Sequence, residues 1–235
     1  MTPRASSVLF FVRHPAAGQV KSRLAAVLGN DSALDLYRAF VQDMLDTIDG
    51  TGLACRICVH PPDVLPSVSS WLGPHRRYLP QAGKDLGERM ENAFRAIFAE
   101  GAASAVLIGS DLPDLPAGLM SEAIGSLERN GAVIGPAADG GYFLVGFRRD
   151  AFLPDIFREM PWSGPDLCGR TLERFREHRA SVHLLPPWQD VDTVEDLRDL
   201  VRRNRASAFA RSRTMVYLAD RREMLPPQED RDAQV

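Results

Sequence analysis

The stretch AVLIGSDLPDLPAGLMSEAI, residues 105–124, decides the fold. Its first five residues are uniformly apolar and lack the alternation of a strand with one wet face. Such a strand is buried on both sides, as in a parallel sheet covered by helices. Ser110-Asp111-Leu112-Pro113-Asp114 then breaks the run, and Leu119, Ala123, Ile124 and Leu127 follow at helical spacing. Strand, acidic turn and helix succeed one another within little more than twenty residues.

The same alternation recurs along the chain. VLFFV (8–12), LACRICV (53–59), AVIG (132–135), YFLVGF (142–147) and SVHLLP (181–186) read as further strands. Between them, Tyr37, Phe40, Val41, Met44, Leu45 and Ile48 stripe a helix over 30–48, and residues 64–72 form a shorter one. Leu86, Met90, Ala93, Phe94 and Ile97 stripe a third. A helix over 163–178 takes Ser163 as its cap with Pro165 near the first turn. Asp192 and Glu195 open a capping-box-like helix over 194–201. The pattern predicts an α/β fold, three layers α/β/α around a mostly parallel central sheet. Residues 1–205 form the domain. Residues 206–235 are an extension, with a helix near Met215, Val216 and Leu218 and then a disordered tail, PPQEDRDAQV.

Composition narrows the function. Twenty-eight Lys and Arg against 31 Asp and Glu leave a net charge of −3, without the basic stripe of a nucleic-acid binder. No apolar run nears the roughly 20 residues of a membrane span, and MTPRASSVLFFVRH reads as a first strand rather than a signal peptide, so a cytoplasmic protein is expected. Cys55 and Cys58 form a C-x-x-C, but their odd offset on a strand sends the thiols to opposite faces, which favours packing over redox or zinc chemistry.

Ligands of open α/β sheets bind beyond the carboxyl ends of the strands. Three acidic clusters fall there: Asp111 and Asp114 after AVLIG, Asp139 in the Gly140-Gly141 turn, and Asp190 with Asp192 after HLLPPW. A fourth strand end carries the loop HPAAGQVKSRL, in which Lys21-Ser22-Arg23 stands at a helix start. The macrodipole is already positive there, so an anion is the expected partner of those cations. A P-loop is excluded because Pro15 and Val20 stand where G-x-x-x-x-G-K-[ST] needs glycines. Carboxylates on short turns suit Mg²⁺ or Mn²⁺, with phosphates completing the shell. For each acidic cluster alone, a local helix cap or turn is the competing explanation.

The ordered set FFVRHPAAGQVKSRL, QAGKDLGERMENAF, IGSDLPDLPAGLMSEAI, VIGPAADGGYFLVGF and DVDTVEDL resembles a bacterial glycosyltransferase-like family first catalogued as a domain of unknown function, of the DUF2064 kind. That family has the nucleotide-diphospho-sugar transferase (GT-A) fold, which molybdenum-cofactor and phospholactate guanylyltransferases and the cytidylyltransferase of Kdo share. The resemblance spans about residues 7–200. It implies a transferase whose substrates are a nucleotide sugar, or an NTP, and a small-molecule acceptor. By it, Asp111 and Asp192 are the metal ligands, and Arg13, Gly18, Lys21, Ser22, Arg23, Lys84, Gly140 and Gly141 belong to the nucleotide site. Asp139 is the candidate to orient or deprotonate an acceptor hydroxyl, with a turn Asp as the alternative. Asp114 is left to the helix start or to a sugar hydroxyl. Lys84, Asp85 and Arg89 are open between ligand contact and a solvated rim, and Trp162 between acceptor stacking and packing. Glycosyl and nucleotidyl transfer both stay open, as does a non-catalytic nucleotide binder; a homodimer is allowed.

Overall fold

The computed structural model describes residues 6–162 and 164–221. Seven strands form one sheet: Ser7–Arg13 (β1), Ala54–His60 (β2), Tyr78–Pro80 (β3), Ser104–Ile108 (β4), Ala132–Pro136 (β5), Tyr142–Arg148 (β6) and Val182–Leu184 (β7). Their order is β3-β2-β1-β4-β6-β5-β7, with β6 alone antiparallel to its neighbours. The predicted α/β fold with a mostly parallel, doubly covered sheet is therefore present. The chain winds outward through β1, β2 and β3, then returns to the other side of β1 for β4. That reversal opens a crevice between the ends of β1 and β4.

The continuous apolar strands are explained by the two cores. Val8, Phe10 and Val12 face a cluster with Tyr37, Val41 and Met44 of helix Asn30–Gly50 (α2) and Val68 of Leu65–Leu72 (α3). Leu9 and Phe11 face the other side, against Met90, Phe94 and Ile97 of Leu86–Ala99 (α4). Phe94, Phe147, Phe152 and Phe157 pack there with ring centroids 5.1–6.4 Å apart. Cys55 packs on the first cluster and Cys58 is buried in the second, so the C-x-x-C thiols do lie on opposite faces.

The helix expected to open at Lys21 is Ser22–Leu28 (α1), separated from α2 by Gly29 at φ 83°. Local boundaries differ from the sequence expectations in three places. Strand β3 has only three residues, too few for a periodic signal. After Ala117–Ser126 (α5), the helix expected over 163–178 is Leu167–Glu177 (α6), which begins after Asp166; Ser163 lies outside the described residues. The helix Val194–Asn204 (α7) is capped by Thr193 with Asp196, one residue beyond the expected Asp192 and Glu195. Asp192 is engaged elsewhere. Of the extension, Arg213–Asp220 (α8) is helical and packs on α2, Leu218 entering a core with Leu36 and Phe40; the expected disordered tail lies outside the described residues.

Candidate active site

The crevice deepens into a cavity of about 440 Å³ at the carboxyl ends of β1, β2 and β4. Arg13, Lys21, Ser22, Arg23, Asp111 and Asp192 all line it, so six of the anticipated residues come together. The ends of β1 and β4 are pinned by Tyr37, whose hydroxyl accepts from Arg13 N at 2.8 Å and meets Ser110 Oγ at 3.2 Å. Burial pushes that phenol well above its usual pKa, so it stays neutral.

Lys21 is the centre of the arrangement. It stands before α1 with φ 50° and ψ 48°, a left-handed conformation that costs a non-glycine residue of order 1 kcal/mol. That conformation turns its side chain inward. Nζ forms ion pairs with Asp111 Oδ1 and, at 2.9 Å, with Asp192 Oδ1, and donates to Val191 O at 2.7 Å. The Lys21 side chain is only 3% exposed. Burial works against its charge, but the two carboxylates outweigh it and hold the pKa above the usual lysine value. The cation at the helix start is thus balanced by two carboxylates of the same chain, not by the anion expected from the sequence.

The loop that carries Asp192 is built by Asp196. Its Oδ2 accepts from Asp192 N at 3.1 Å, Thr193 N at 2.8 Å and Thr193 Oγ1 at 2.8 Å, while Oδ1 accepts from Gln189 Nε2 at 2.9 Å. Burial opposes ionisation of Asp196, yet these bonds hold its pKa below the ordinary carboxylate value. Val191 N donates to Asp111 O at 2.9 Å, which ties the two acidic loops edge to edge. Between the two loops, Asp190 is half-buried, and burial together with Asp192 and Asp139 pushes its pKa up to about 6.

Two carboxylate oxygens converge on one ammonium, which occupies the position a divalent cation would take. The Asp111 and Asp192 side chains are 45% and 39% exposed, so their outer oxygens remain open to solvent, while Lys21 between them is 3% exposed. Among the described residues no group of three or more His, Cys, Asp and Glu gathers to hold a metal. Water and substrate phosphates would supply the remaining ligands, as hard-cation sites of the Mg²⁺ type commonly arrange.

Other anticipated residues sit elsewhere. Asp139 is exposed and does not line the cavity, and its Oδ1 accepts from Gly141 N at 2.9 Å, the bond of a turn aspartate. Gly140 has φ 90°, and a Cβ there would lie 1.8 Å from Pro165 O, so its absence lets the turn press against the approach to α6. Gly18, at φ 75°, shapes the basic loop and does not line the cavity. Lys84 is an exposed partner of Glu88 at 3.0 Å, and Asp85 caps α4 through Glu88 N. Asp114 is structural: it is 3% exposed and bound by Arg203, Asn204 and Trp188. Trp162 both lines the cavity and packs on the aromatic core, where Gly87 leaves it room. Sequence reasoning missed His60 and Tyr142, which also line the cavity. His60 follows an apolar run, so the strand-end rule applied to Asp111 would have found it.

Residues 44–164 match a family described as "Uncharacterized protein conserved in bacteria (DUF2064)". The chain belongs to this bacterial family. A crystal structure from Desulfovibrio desulfuricans G20, described as a provisional nucleotide-diphospho-sugar transferase, is 45% identical, with a TM-score of 0.91 over 94% of this chain and 96% of that one. The DUF2064 chain also shares its fold with two more distant enzymes. One is the 4-diphosphocytidyl-2C-methyl-D-erythritol synthase of Anaerococcus prevotii DSM 20548, at 12% identity and TM-score 0.56 over 83% and 96% of the two chains. The other is CMP:2-keto-3-deoxy-manno-octonic acid synthetase in complex with CTP, at 11% and 0.52 over 85% and 99%. No curated protein matches the chain. Among the described residues no helix is long and apolar enough to cross a membrane.

Proposed function

We propose that this chain is a metal-dependent transferase that moves a glycosyl group from a nucleotide-diphosphate sugar to the hydroxyl of a small-molecule acceptor. The observation that carries this reading is the convergence of Asp111 and Asp192 on one cation at the mouth of a cavity that Arg13 and Arg23 also line. The 45% identical relative, described as a nucleotide-diphospho-sugar transferase, supports the choice of donor.

Asp111 and Asp192 would hold Mg²⁺ or Mn²⁺, which supplies positive charge for the diphosphate that leaves. Arg23 and Ser22 would bind the same diphosphate from the basic loop, Arg23 through its planar fork. Lys21 holds the two carboxylates in place before a ligand arrives. In the transfer, the bond from the anomeric carbon to the diphosphate oxygen breaks and a bond to the acceptor oxygen forms. The acceptor's proton passes to a carboxylate, for which Asp139 is the candidate. Phe143 and Leu107 in the cavity wall would exclude water from the reacting atoms.

The test is incubation with Mg²⁺ or Mn²⁺ and a panel of nucleotide sugars and NTPs, followed by mass spectrometry. Metal-dependent release of nucleoside diphosphate from one nucleotide sugar is the expected result. Pyrophosphate release only from an NTP with a phosphorylated acceptor would replace glycosyl by nucleotidyl transfer. Failure of any nucleotide to bind in calorimetry would leave neither reaction standing.

A further inference from the structure

The cavity has a second polar group of residues with no carboxylate partner. Arg13 and His60 are register partners at the carboxyl ends of β1 and β2, so their side chains leave the sheet on the same side. Arg89 reaches them from α4, with Nη1 3.5 Å from His60 Nε2. All three residues line the cavity. Among the described residues, His60 Nδ1 and Arg89 Nε are buried and have no hydrogen-bond partner.

Several other arginines are answered by an acid. Arg56 meets Glu100, Arg76 meets Asp49, Arg158 meets Glu91 and Arg203 meets Asp114. Among the described residues neither Arg13 nor Arg89 forms an ion pair. Glu88, next to Arg89 in sequence, pairs with Lys84, and Asp85 caps α4 through Glu88 N. Burial, with Arg89 and Arg13 next, lowers the pKa of His60 and keeps its ring neutral. A neutral ring offers one N–H, and two guanidiniums offer several more. Arg89 is a half-buried cation beside the exposed guanidinium of Arg13 and, among the described residues, without an ion-pair partner, an arrangement that a bound anion stabilises.

We propose that Arg13, His60 and Arg89 form a subsite for an anionic group, phosphate or carboxylate, carried by the second substrate. The inference rests on the transferase reading for its substrate assignment and names the chemical class of the acceptor. Position separates this subsite from the diphosphate site. β2 lies two strands from β4, so the end of β2 is about 10 Å from the end of β4, where Asp111 stands. A diphosphate held at Asp111, Asp192 and Arg23 does not also fill the Arg89 corner. An uncharged nucleobase would leave both guanidiniums unbalanced. Trp162 and Tyr142 lend ring surfaces for the carbon skeleton that carries the anion.

The probe is inorganic phosphate, titrated calorimetrically at low salt without metal into the parent protein and into Arg13→Gln, Arg89→Gln and Arg23→Gln. Phosphate is expected to bind the parent, to lose at least tenfold in affinity in Arg13→Gln and Arg89→Gln, and to change less than threefold in Arg23→Gln. At matched phosphate concentration the His60 imidazole resonance should shift in the parent and in Arg23→Gln, and much less in Arg13→Gln and Arg89→Gln. Unchanged thermal unfolding of the variants keeps the comparison free of folding defects. Repeating the titration with saturating nucleoside diphosphate separates the sources: retained phosphate binding is expected for a second-substrate subsite, and displacement by the nucleotide overturns it. Equal affinity in all four proteins overturns it too, as does binding of free nucleosides but not phosphate. None of these readouts needs turnover, so absence of transfer would defeat the transferase reading while leaving the anion site intact. Turnover with phosphate binding indifferent to Arg89 would do the reverse.

Discussion

Replacement of Asp114 by Ala is expected to destabilise the fold by about 3 kcal/mol. The carboxylate is 3% exposed and receives four hydrogen bonds: Arg203 Nε at 2.7 Å and Nη2 at 2.9 Å, Asn204 Nδ2 at 2.7 Å, and Trp188 Nε1 at 3.3 Å. Loss of one partner of a buried ion pair costs ~3–5 kcal/mol because the other is left unpaired. Arg203 is 28% exposed and regains some water, which sets the figure at the lower end. Asn204 is buried and keeps its bond to Leu200 O at 3.0 Å and the one from Ser207 Oγ at 2.8 Å, but its amide loses the Asp114 acceptor. Asn204 and Trp188 donate to different oxygens, so Asp114→Asn preserves an acceptor for one of them and loses the charge, and about half the effect, ~1.5 kcal/mol, is expected. Urea unfolding measures both, with the slope unchanged if only stability moves. A double-mutant cycle with Arg203→Met should return a coupling of at least ~1 kcal/mol. A loss below ~1 kcal/mol in Asp114→Ala, or a cycle that closes additively, would refute the assignment of Asp114 as the clamp between α7 and the Asp111 loop.

Lys21→Met should free the Asp111–Asp192 pair for a metal, so Mn²⁺ binding to the ligand-free protein, followed by electron paramagnetic resonance, should tighten by tenfold or more; unchanged affinity would mean that Lys21 does not compete for that position. Gly140→Ala puts a Cβ against Pro165 O at a positive φ and should lower stability by about 2 kcal/mol or more in thermal or urea unfolding, whereas Gly52→Ala, with open space around it, should cost only the backbone strain, about 1 kcal/mol. The folded-state pKa of Asp196 lies below its ordinary value of 3.8. Its contribution is therefore complete above the unfolded pKa and is lost as pH falls through the folded one. Parent and Asp196→Asn should differ in stability at pH 7 and converge only below pH 3.8; an equal gap at acid pH would contradict the capping role.

The sequence by itself determined the fold class and the end of the sheet at which to look. Runs such as VLFFV and AVLIG need cover on both faces, and that requirement is local enough to read from residue type alone. The strand-end rule then brought Arg13, Lys21, Arg23, Asp111 and Asp192 into one region before any coordinates. Tertiary structure decided what each of those groups faces. Lys21 looked like a phosphate ligand because its partners, 90 and 171 residues away, are invisible to spacing; a left-handed backbone turns it onto Asp111 and Asp192 instead. Asp114 shares a motif with Asp111 yet points the other way, toward Arg203 and Asn204. By sequence Arg89 is open between ligand contact and a solvated rim, and its half-buried place beside His60 in the cavity wall favours the first. Charge in a sequence states what a residue carries, while the fold alone decides which charges are already answered.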